Sequence, residues 1–288
     1  MQRTMADTTV PNISRALDLT GRVALVTGST SGIGKGIAFQ LAALGAAVIV
    51  NGRSEGRGAE VVAAIEALGG RAAFEACDLT DAGQCQALVD RAAAHFGRLD
   101  ILVNNAADTS RGDVRSTTIE DWDRIHAINL RAPFFLMQAA VPHLERQGGG
   151  AILNIGSINA YIGEPKLTAY SSAKGGLMTL TRNAAAQLNT AKIRVNQINV
   201  GWTLTEGEEK VKREQEGKGD EWVAEAVKTR PFGRLLEPAD TAFAVAYYVS
   251  DAAACVTGSV MDLEQYPVGA PPAWLRGARR GGADTAIR

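Results

Sequence analysis

Cysteine and histidine are both scarce, with three of each in 288 residues. Cys77, Cys85 and Cys255 form no Cys-x-x-Cys pair and have no histidine at metal-ligand spacing, so neither a disulfide framework nor a zinc site is indicated. They read as core thiols in a reducing compartment, and no metal is expected. His95, His126 and His143 each stand alone in a helical segment and suggest no Ser-His-Asp constellation. Net charge is missing too: 30 basic against 31 acidic residues leave -1, with no field to gather nucleic acid or an anionic membrane. No apolar run approaches the ~18 residues that span a bilayer, and "MQRTMADTTVPNISRALD" lacks the apolar stretch of a signal peptide. The expectation is a cytoplasmic protein that takes a small-molecule partner, its sequon Asn12-Ile13-Ser14 carrying no sugar.

Apolar residues are plentiful, 46% against 21% charged, enough for a substantial core. Strand-like runs alternate with helical spacings. "RVALVTG" (22–28) enters glycine and is followed by "GIGKGIAFQLAALG", whose apolar positions recur at helical period. "AAVIVNG", "RAAFEAC", "LDILVNNA", "GGAILNIGS" and "KIRVNQIN" predict further buried strands, separated by helices near 56–68, 81–95, 118–146 and 168–189. "SVMDL" (259–263) predicts a last strand after a helix near 238–250. Such alternation implies right-handed βαβ units: an α/β, doubly wound, mostly parallel seven-stranded sheet with helices on both faces. Nothing divides the chain, so one domain is expected over 19–274, between flexible tails at 1–18 and 275–288. The charged, glycine-punctuated stretch 203–230 is longer than an ordinary connection and reads as a solvated helical excursion or a lid. Its place beyond a strand's C-terminal end favours the lid, although the charge run 206–221 alone reads as a solvated face.

In the first turn, "TGSTSGIG", Gly28, Gly32 and Gly34 can bring backbone N–H groups and a helix N-terminus close to a pyrophosphate. Glycines alone also suit a plain tight strand-to-helix turn, and their Gly-x-x-x-Gly-x-Gly spacing departs from the common dinucleotide fingerprint. The stretch nevertheless resembles the cofactor loop of the short-chain dehydrogenase/reductase superfamily, and the resemblance continues in order along the chain. "NNAA" (104–107) is similar to that family's Asn-Asn-Ala-Gly, with Ala107 in place of glycine. Asn129, Ser157, Tyr170 and Lys174 fall in the order and spacing of its catalytic tetrad. "NVGWTLT" (199–205) resembles its Asn-Pro-Gly-x-x-x-Thr segment, with Val200 for proline. The likeness covers about 19–263 and implies a Rossmann-like oxidoreductase that interconverts an alcohol and a carbonyl. It also implies cofactor contacts at Gly28, Thr30, Ser31, Gly32, Ile33, Gly34, Asp78, Leu79, Asn105, Tyr170, Lys174, Thr203 and Thr205. The ending "DLEQYPVGAPPAW" departs from the family's Asp-Gly-Gly and leaves open whether the tail folds over a neighbouring subunit's site.

The chemistry of "GSINAYIGEPKLTAYSSAK" (156–174) agrees with the resemblance. Tyr170 and Lys174, four apart on a helix, share one face. A phenol with pKa near 10 is a poor acid or base at neutral pH, and a nearby ammonium favours its phenolate. Ser157, at a strand end, can hydrogen-bond the substrate oxygen and steady a developing alkoxide. Asn129 resembles the family's helix-kinking residue, which holds a water that connects the lysine to solvent. Taken singly, these residues read as a surface pair and a strand-end cap; the ordered combination carries the functional reading. A nucleotide-sensing regulator that kept the fold without the chemistry is the alternative from another class.

At the end of the second strand, "VIVNGRS", no acid is available for a ribose 2′-hydroxyl. Gly52 stands at the usual acidic position, and Arg53 beside it suits a 2′-phosphate, so NADP(H) is favoured and NAD(H) stays possible, since Ser31 occupies a place often basic in NADP-using relatives. The substrate rim is expected from 107–112, 158–167 and 202–230. Asp108, Asn159, Glu164 and Lys166 supply polar groups there, with Tyr161 and Ile162, and Trp202 either roofs the pocket or packs in the core. Together with Ser157, the residues Asn159, Glu164 and Trp202 are the substrate-contact candidates. Such a site favours a sugar, polyol or other small hydroxylated substrate over a 3-oxoacyl or other hydrophobic ketone. Alanine and leucine faces on helices 118–146 and 168–189, as in "NAAAQLN", predict a homotetramer, with a dimer next.

Overall fold

The computed structural model describes residues 12–268. The apolar runs form strands β1 (Val23–Val26), β2 (Ala47–Gly52), β3 (Arg71–Ala76), β4 (Ile101–Asn104), β5 (Gly150–Ser157), β6 (Ile193–Val200) and β7 (Val260–Leu263). Helix α1 (Ile13–Ala16) precedes the sheet, and α2 (Gly32–Ala43), α3 (Glu55–Ala67) and α4 (Ala82–Phe96) make the first three crossovers. Helices α5 (Ile119–His126) and α6 (Ala132–Arg146) lead to β5, and α7 (Thr168–Leu188) leads to β6. Helices α8 (Glu206–Glu214), α9 (Trp222–Lys228) and α10 (Pro238–Val249) fill the passage to β7.

All strand pairs are parallel, in the order β3-β2-β1-β4-β5-β6-β7. Successive residues of a strand point to opposite faces, so β1 feeds two cores. Ala24 and Val26 meet Ile37 and Leu41 of α2 and Val245 of α10, whereas Val23 and Leu25 meet Leu88 of α4 and Leu136 of α6. Each such fully buried side chain contributes about 1.5–3 kcal/mol. Strand order reverses between β1 and β4, which opens a crevice at the carboxyl ends of the strands.

Several local readings change. The helix expected over 118–146 is broken by a wide turn at Ala127–Arg131. The side-chain amide of Asn129 donates to the carbonyl of Ile125, four residues back, and to that of Asp108 (2.9 Å each), so it takes an acceptor that a regular helix gives to a backbone N–H. Strand β3 lies at the sheet edge and is only partly buried, and its Glu75 pairs with Arg91 and His95. Strand β6 is not purely apolar: buried Asn196, Gln197 and Asn199 interrupt it, and Gln197 donates to Asn199 at 2.7 Å while accepting from Thr181 at 2.9 Å. Cys77 and Cys85 are buried, but Cys255 is exposed and no core thiol. In "NAAAQLN", Ala184 and Ala185 are spent on the protomer's own core. Within the expected N-terminal tail, residues 13–16 form α1, its start capped by Asn12; residues 1–11 and the tail at 275–288 lie outside the described residues, as does 269–274 of the expected domain and atypical ending.

The stretch 203–230 folds as α8 and α9 over a small cluster of Trp222, Ala226 and Leu235, against which Trp202 and Leu204 pack. Its charge run is not a simple solvated face. Glu208, Lys212 and Glu216, spaced by four, lie along one side of α8 and its end and face the crevice.

Candidate active site

The crevice is a cleft of about 780 Å³ that holds nearly every residue singled out above. At one end lies the glycine turn. Gly28 and Gly32 have φ of +62° and +52°, and a Cβ on Gly28 would come 2.8 Å from the Cα of Ala106. A side chain on Gly34 would collide with the carbonyl of Gly28 and the amide of Asn105. Asn105 holds this turn by donating to the carbonyls of Thr27 and Gly28 (2.8 and 3.2 Å), so its amide shapes the loop as well as lining the cleft.

The N-termini of α3, α4 and α5 are capped by the side chains of Ser54, Asp81 and Thr118, but Ser31 makes no such bond at the start of α2. No side chain takes up the first N–H groups there, and Thr30, Ser31, Gly32, Ile33 and Gly34 all line the cleft. This uncapped start beside a glycine cradle fits the pyrophosphate of a dinucleotide.

Beyond the turn, Arg53, Asp78 and Leu79 line the cleft, joined by Arg57, which sequence reading missed. Hydrogen bonds from the N–H and hydroxyl of Thr80 hold the Asp78 carboxyl below its usual range. A Cβ on Gly52 would lie 2.6 Å from Cγ2 of Thr30, so an acidic side chain at the family's usual position has no room unless Thr30 moves.

In the middle stand Ser157, at the end of β5, and Tyr170 and Lys174 on the first turns of α7. Tyr170 is 8% exposed and Lys174 2%. Lys174 donates from Nζ to the carbonyl of Ile155 at 2.8 Å and lies 5.6 Å from the Tyr170 ring centroid. Burial pushes its pKa down to about 7. Burial also raises the Tyr170 phenol, against the opposing pull of the neighbouring Ser157 hydroxyl and of Arg111. The lysine was expected to make Tyr170 more acidic, but desolvation of both groups dominates here. Asn129 stands behind the cleft wall, which Ile128 lines. Its Oδ1 is buried without a partner among the described residues.

Thr203 and Thr205 line the far wall, and Thr205 caps α8 by accepting from the N–H of Glu208 at 3.1 Å. Of the substrate candidates, Asn159, Glu164 and Trp202 line the cleft, with Glu164 and Lys166 exposed at its rim beside Ile162. Asp108 and Tyr161 do not line it: the Asp108 carboxylate is committed to Arg124 at 2.7 Å, and Tyr161 is exposed. Trp202 does both things expected of it. Its ring stacks on Trp222 with centroids 5.8 Å apart, and its Nε1 donates to Glu208 at 3.0 Å. Arg111, Glu208, Lys212, Glu216, Arg230 and Glu264 complete this end and were not named from sequence. All but Glu264 fall within the stretches 107–112 and 202–230 expected to form the rim, and the spacing of 208, 212 and 216 was a further signal.

Comparison with known proteins places the chain. A family model described as enoyl-(acyl carrier protein) reductase matches residues 28–264. Cyclohexanol dehydrogenase of Acinetobacter sp. (strain SE19) is 38% identical over 245 residues, covering 83% of this chain and 91% of its own. The structure of a 7α-hydroxysteroid dehydrogenase complexed with NADH and 7-oxo glycochenodeoxycholic acid superposes with a TM-score of 0.83 at 34% identity, over 90% of this chain and 99% of the other. That of a 3-oxoacyl-(acyl-carrier-protein) reductase from Agrobacterium tumefaciens C58 with NADP bound gives 0.81 at 31%, over 89% and 98%. With the seven-stranded parallel sheet and the ordered motifs, these likenesses show that the chain belongs to the short-chain dehydrogenase/reductase superfamily, as an NAD(P)-dependent alcohol dehydrogenase/carbonyl reductase.

Proposed function

We propose that the protein interconverts a small hydroxylated alcohol and its carbonyl compound, with NADP(H) as the preferred cofactor and Tyr170 as the group that moves the proton at the substrate oxygen. The observation that carries this reading is the meeting of Tyr170, Lys174 and Ser157 in one cleft with an uncapped helix start. The nicotinamide, when bound, supplies or accepts the hydride. Gly28, Gly32 and Gly34, with the free N–H groups of α2, would hold its pyrophosphate, while Asn105, Asp78 and Leu79 line the way to the adenine end.

Burial keeps the Tyr170 phenol protonated at neutral pH, so the resting site is set to give a proton to a carbonyl oxygen. Alcohol oxidation needs the phenolate and gains as pH rises. Ser157 donates to the same oxygen and steadies charge that develops on it. Lys174, close to its midpoint near pH 7, passes protons without a large energetic step. Arg53 and Arg57 at the mouth support the NADP(H) preference, together with the lack of room for an acid at Gly52. Exposed Trp122 and Phe134, and on another face Phe243 and Tyr247, support assembly into a homotetramer. The test is oxidation of NADPH and of NADH by purified protein over a panel of ketones and hydroxyketones. The expected result is a lower KM for NADPH and turnover of hydroxylated members; silence across the panel with both cofactors would refute the assignment.

A further inference from the structure

The substrate end of the cleft is walled by ionised side chains that satisfy one another. Arg111, on the loop after β4, donates from Nη2 to both carboxylate oxygens of Glu208 (3.2 and 3.3 Å), from Nε to Glu216 (3.2 Å) and from Nη1 to the carbonyl of Thr109 (3.1 Å). Lys212 donates to both oxygens of Glu216 at 2.9 and 2.8 Å and stands 3.7 Å from Glu208. Arg230 lies 3.9 Å from Glu264. The six side chains are between 4% and 15% exposed. Three cations face three anions, and the wall is neutral as a whole.

That neutrality decides what can sit against it. An anionic substrate that takes over the Arg111 contacts to Glu208 or Glu216 separates buried ion pairs and adds a net negative charge to a balanced wall, at a desolvation cost. An uncharged substrate needs no exchange of partners. Arg111 keeps an N–H on Nη1 beyond those already used, and Glu208 keeps lone pairs, so hydroxyl groups find a donor and an acceptor side by side. Arg111, Glu208 and Tyr170 line the same cleft, so a substrate held at the Tyr170 hydroxyl shares it with this pair.

We infer that Arg111 and Glu208 set the substrate specificity, accepting an uncharged polyol or its hydroxyketone and rejecting carboxylated counterparts. This rests on the oxidoreductase reading above and sharpens its substrate class. A hydrophobic ketone loses because it leaves the paired charges facing nothing polar, and an acid loses because it breaks the pairing.

The test compares cyclohexanol, 1,2-cyclohexanediol and 4-hydroxycyclohexanecarboxylate with NADP, following both turnover and calorimetric binding to the protein loaded with cofactor. The diol should exceed cyclohexanol in kcat/KM by roughly tenfold or more, and the carboxylate by roughly a hundredfold. Glu208→Gln removes one negative charge and leaves the wall positive, so the ratio of carboxylate to diol should rise at least about tenfold in both readouts. Arg111→Gln makes the wall negative and should lower that ratio, which keeps the inference testable if the first variant does not fold. A wild-type protein that handles carboxylate and diol equally, or variants that leave their ratio unmoved, would overturn the inference while the oxidoreductase reading stands. A diol that neither binds nor turns over would overturn the inference as well, while the oxidoreductase reading is decided separately by the carbonyl panel with both cofactors.

Discussion

The two ends of the cleft are built by different means. At the cofactor end the contacts come from backbone: a glycine turn, a helix start without a side-chain cap, and an asparagine that ties the loop to β4. At the opposite end they come from charged side chains on a loop and on α8 and the turn after it, paired across segments about a hundred residues apart, as in Arg111 with Glu208 and Glu216. A backbone site accepts little change in shape and suits one ligand class, whereas a side-chain site can be rewritten by single substitutions while the scaffold stays. Tyr170 and Lys174 sit at the border, carried by the rigid α7 but titrating in a dry pocket.

The largest expected effect lies at that border. Tyr170→Phe should lower kcat/KM by at least ~10²-fold, the usual worth of a positioned acid or base, with NADPH affinity by fluorescence titration nearly unchanged. Retention of near-full activity would dissolve the distinction between a catalytic middle and a binding end. In the wild type, the rate of alcohol oxidation should rise into the alkaline range more steeply than that of carbonyl reduction, because burial raises the phenol's pKa.

Next comes the dry lysine itself. Its folded pKa of about 7 lies below the unfolded value near 10.4. Between those values the unfolded chain binds the extra proton, so this group makes stability increase with pH across that window, and below pH 7 its full penalty, of order 4–5 kcal/mol, is in place. Lys174→Met should therefore flatten the pH dependence of the urea midpoint between pH 7 and 10 and raise Tm at pH 6, offset in part by the lost bond to Ile155. An unchanged slope would show that the ammonium is well solvated.

Smaller effects belong to the cofactor mouth. Arg53→Ala should weaken NADPH by about ten- to a hundredfold and leave NADH almost untouched, since charge-assisted bonds to a phosphate are worth ~1.5–3 kcal/mol. Arg57→Ala should act in the same sense but more weakly, a few-fold, because α3 sets it one turn farther from the strand end. Equal losses for NADPH and NADH would make both arginines ordinary surface residues. Gly52→Asp is a poor way to reverse the preference unless Thr30→Ser or Thr30→Ala is made with it, because Thr30 occupies the space that the new Cβ needs.

The sequence alone determined the parallel α/β sheet, the glycine turn and the shared helix face of Tyr170 and Lys174, because each depends on local rules, while the set of Asn129, Ser157, Tyr170 and Lys174 came from the resemblance to a family. Apolar runs pair as buried strands, a tight approach demands glycine, and residues four apart share a helix face. It misjudged features that depend on what lies across space. Only the tertiary structure decided that Asp108 turns to Arg124, that Thr30 blocks Gly52, and that the helix distortion expected at Asn129 uses the carbonyls of Ile125 and Asp108. The same holds for α8. Charges read along 206–221 look like a solvated face, but the return of the chain places Arg111 against them, and burial beside an opposite charge turns a surface pattern into the wall of a cleft. Pairing energy between buried charges depends on separation and solvent access, and neither is written in the spacing of residues along one segment.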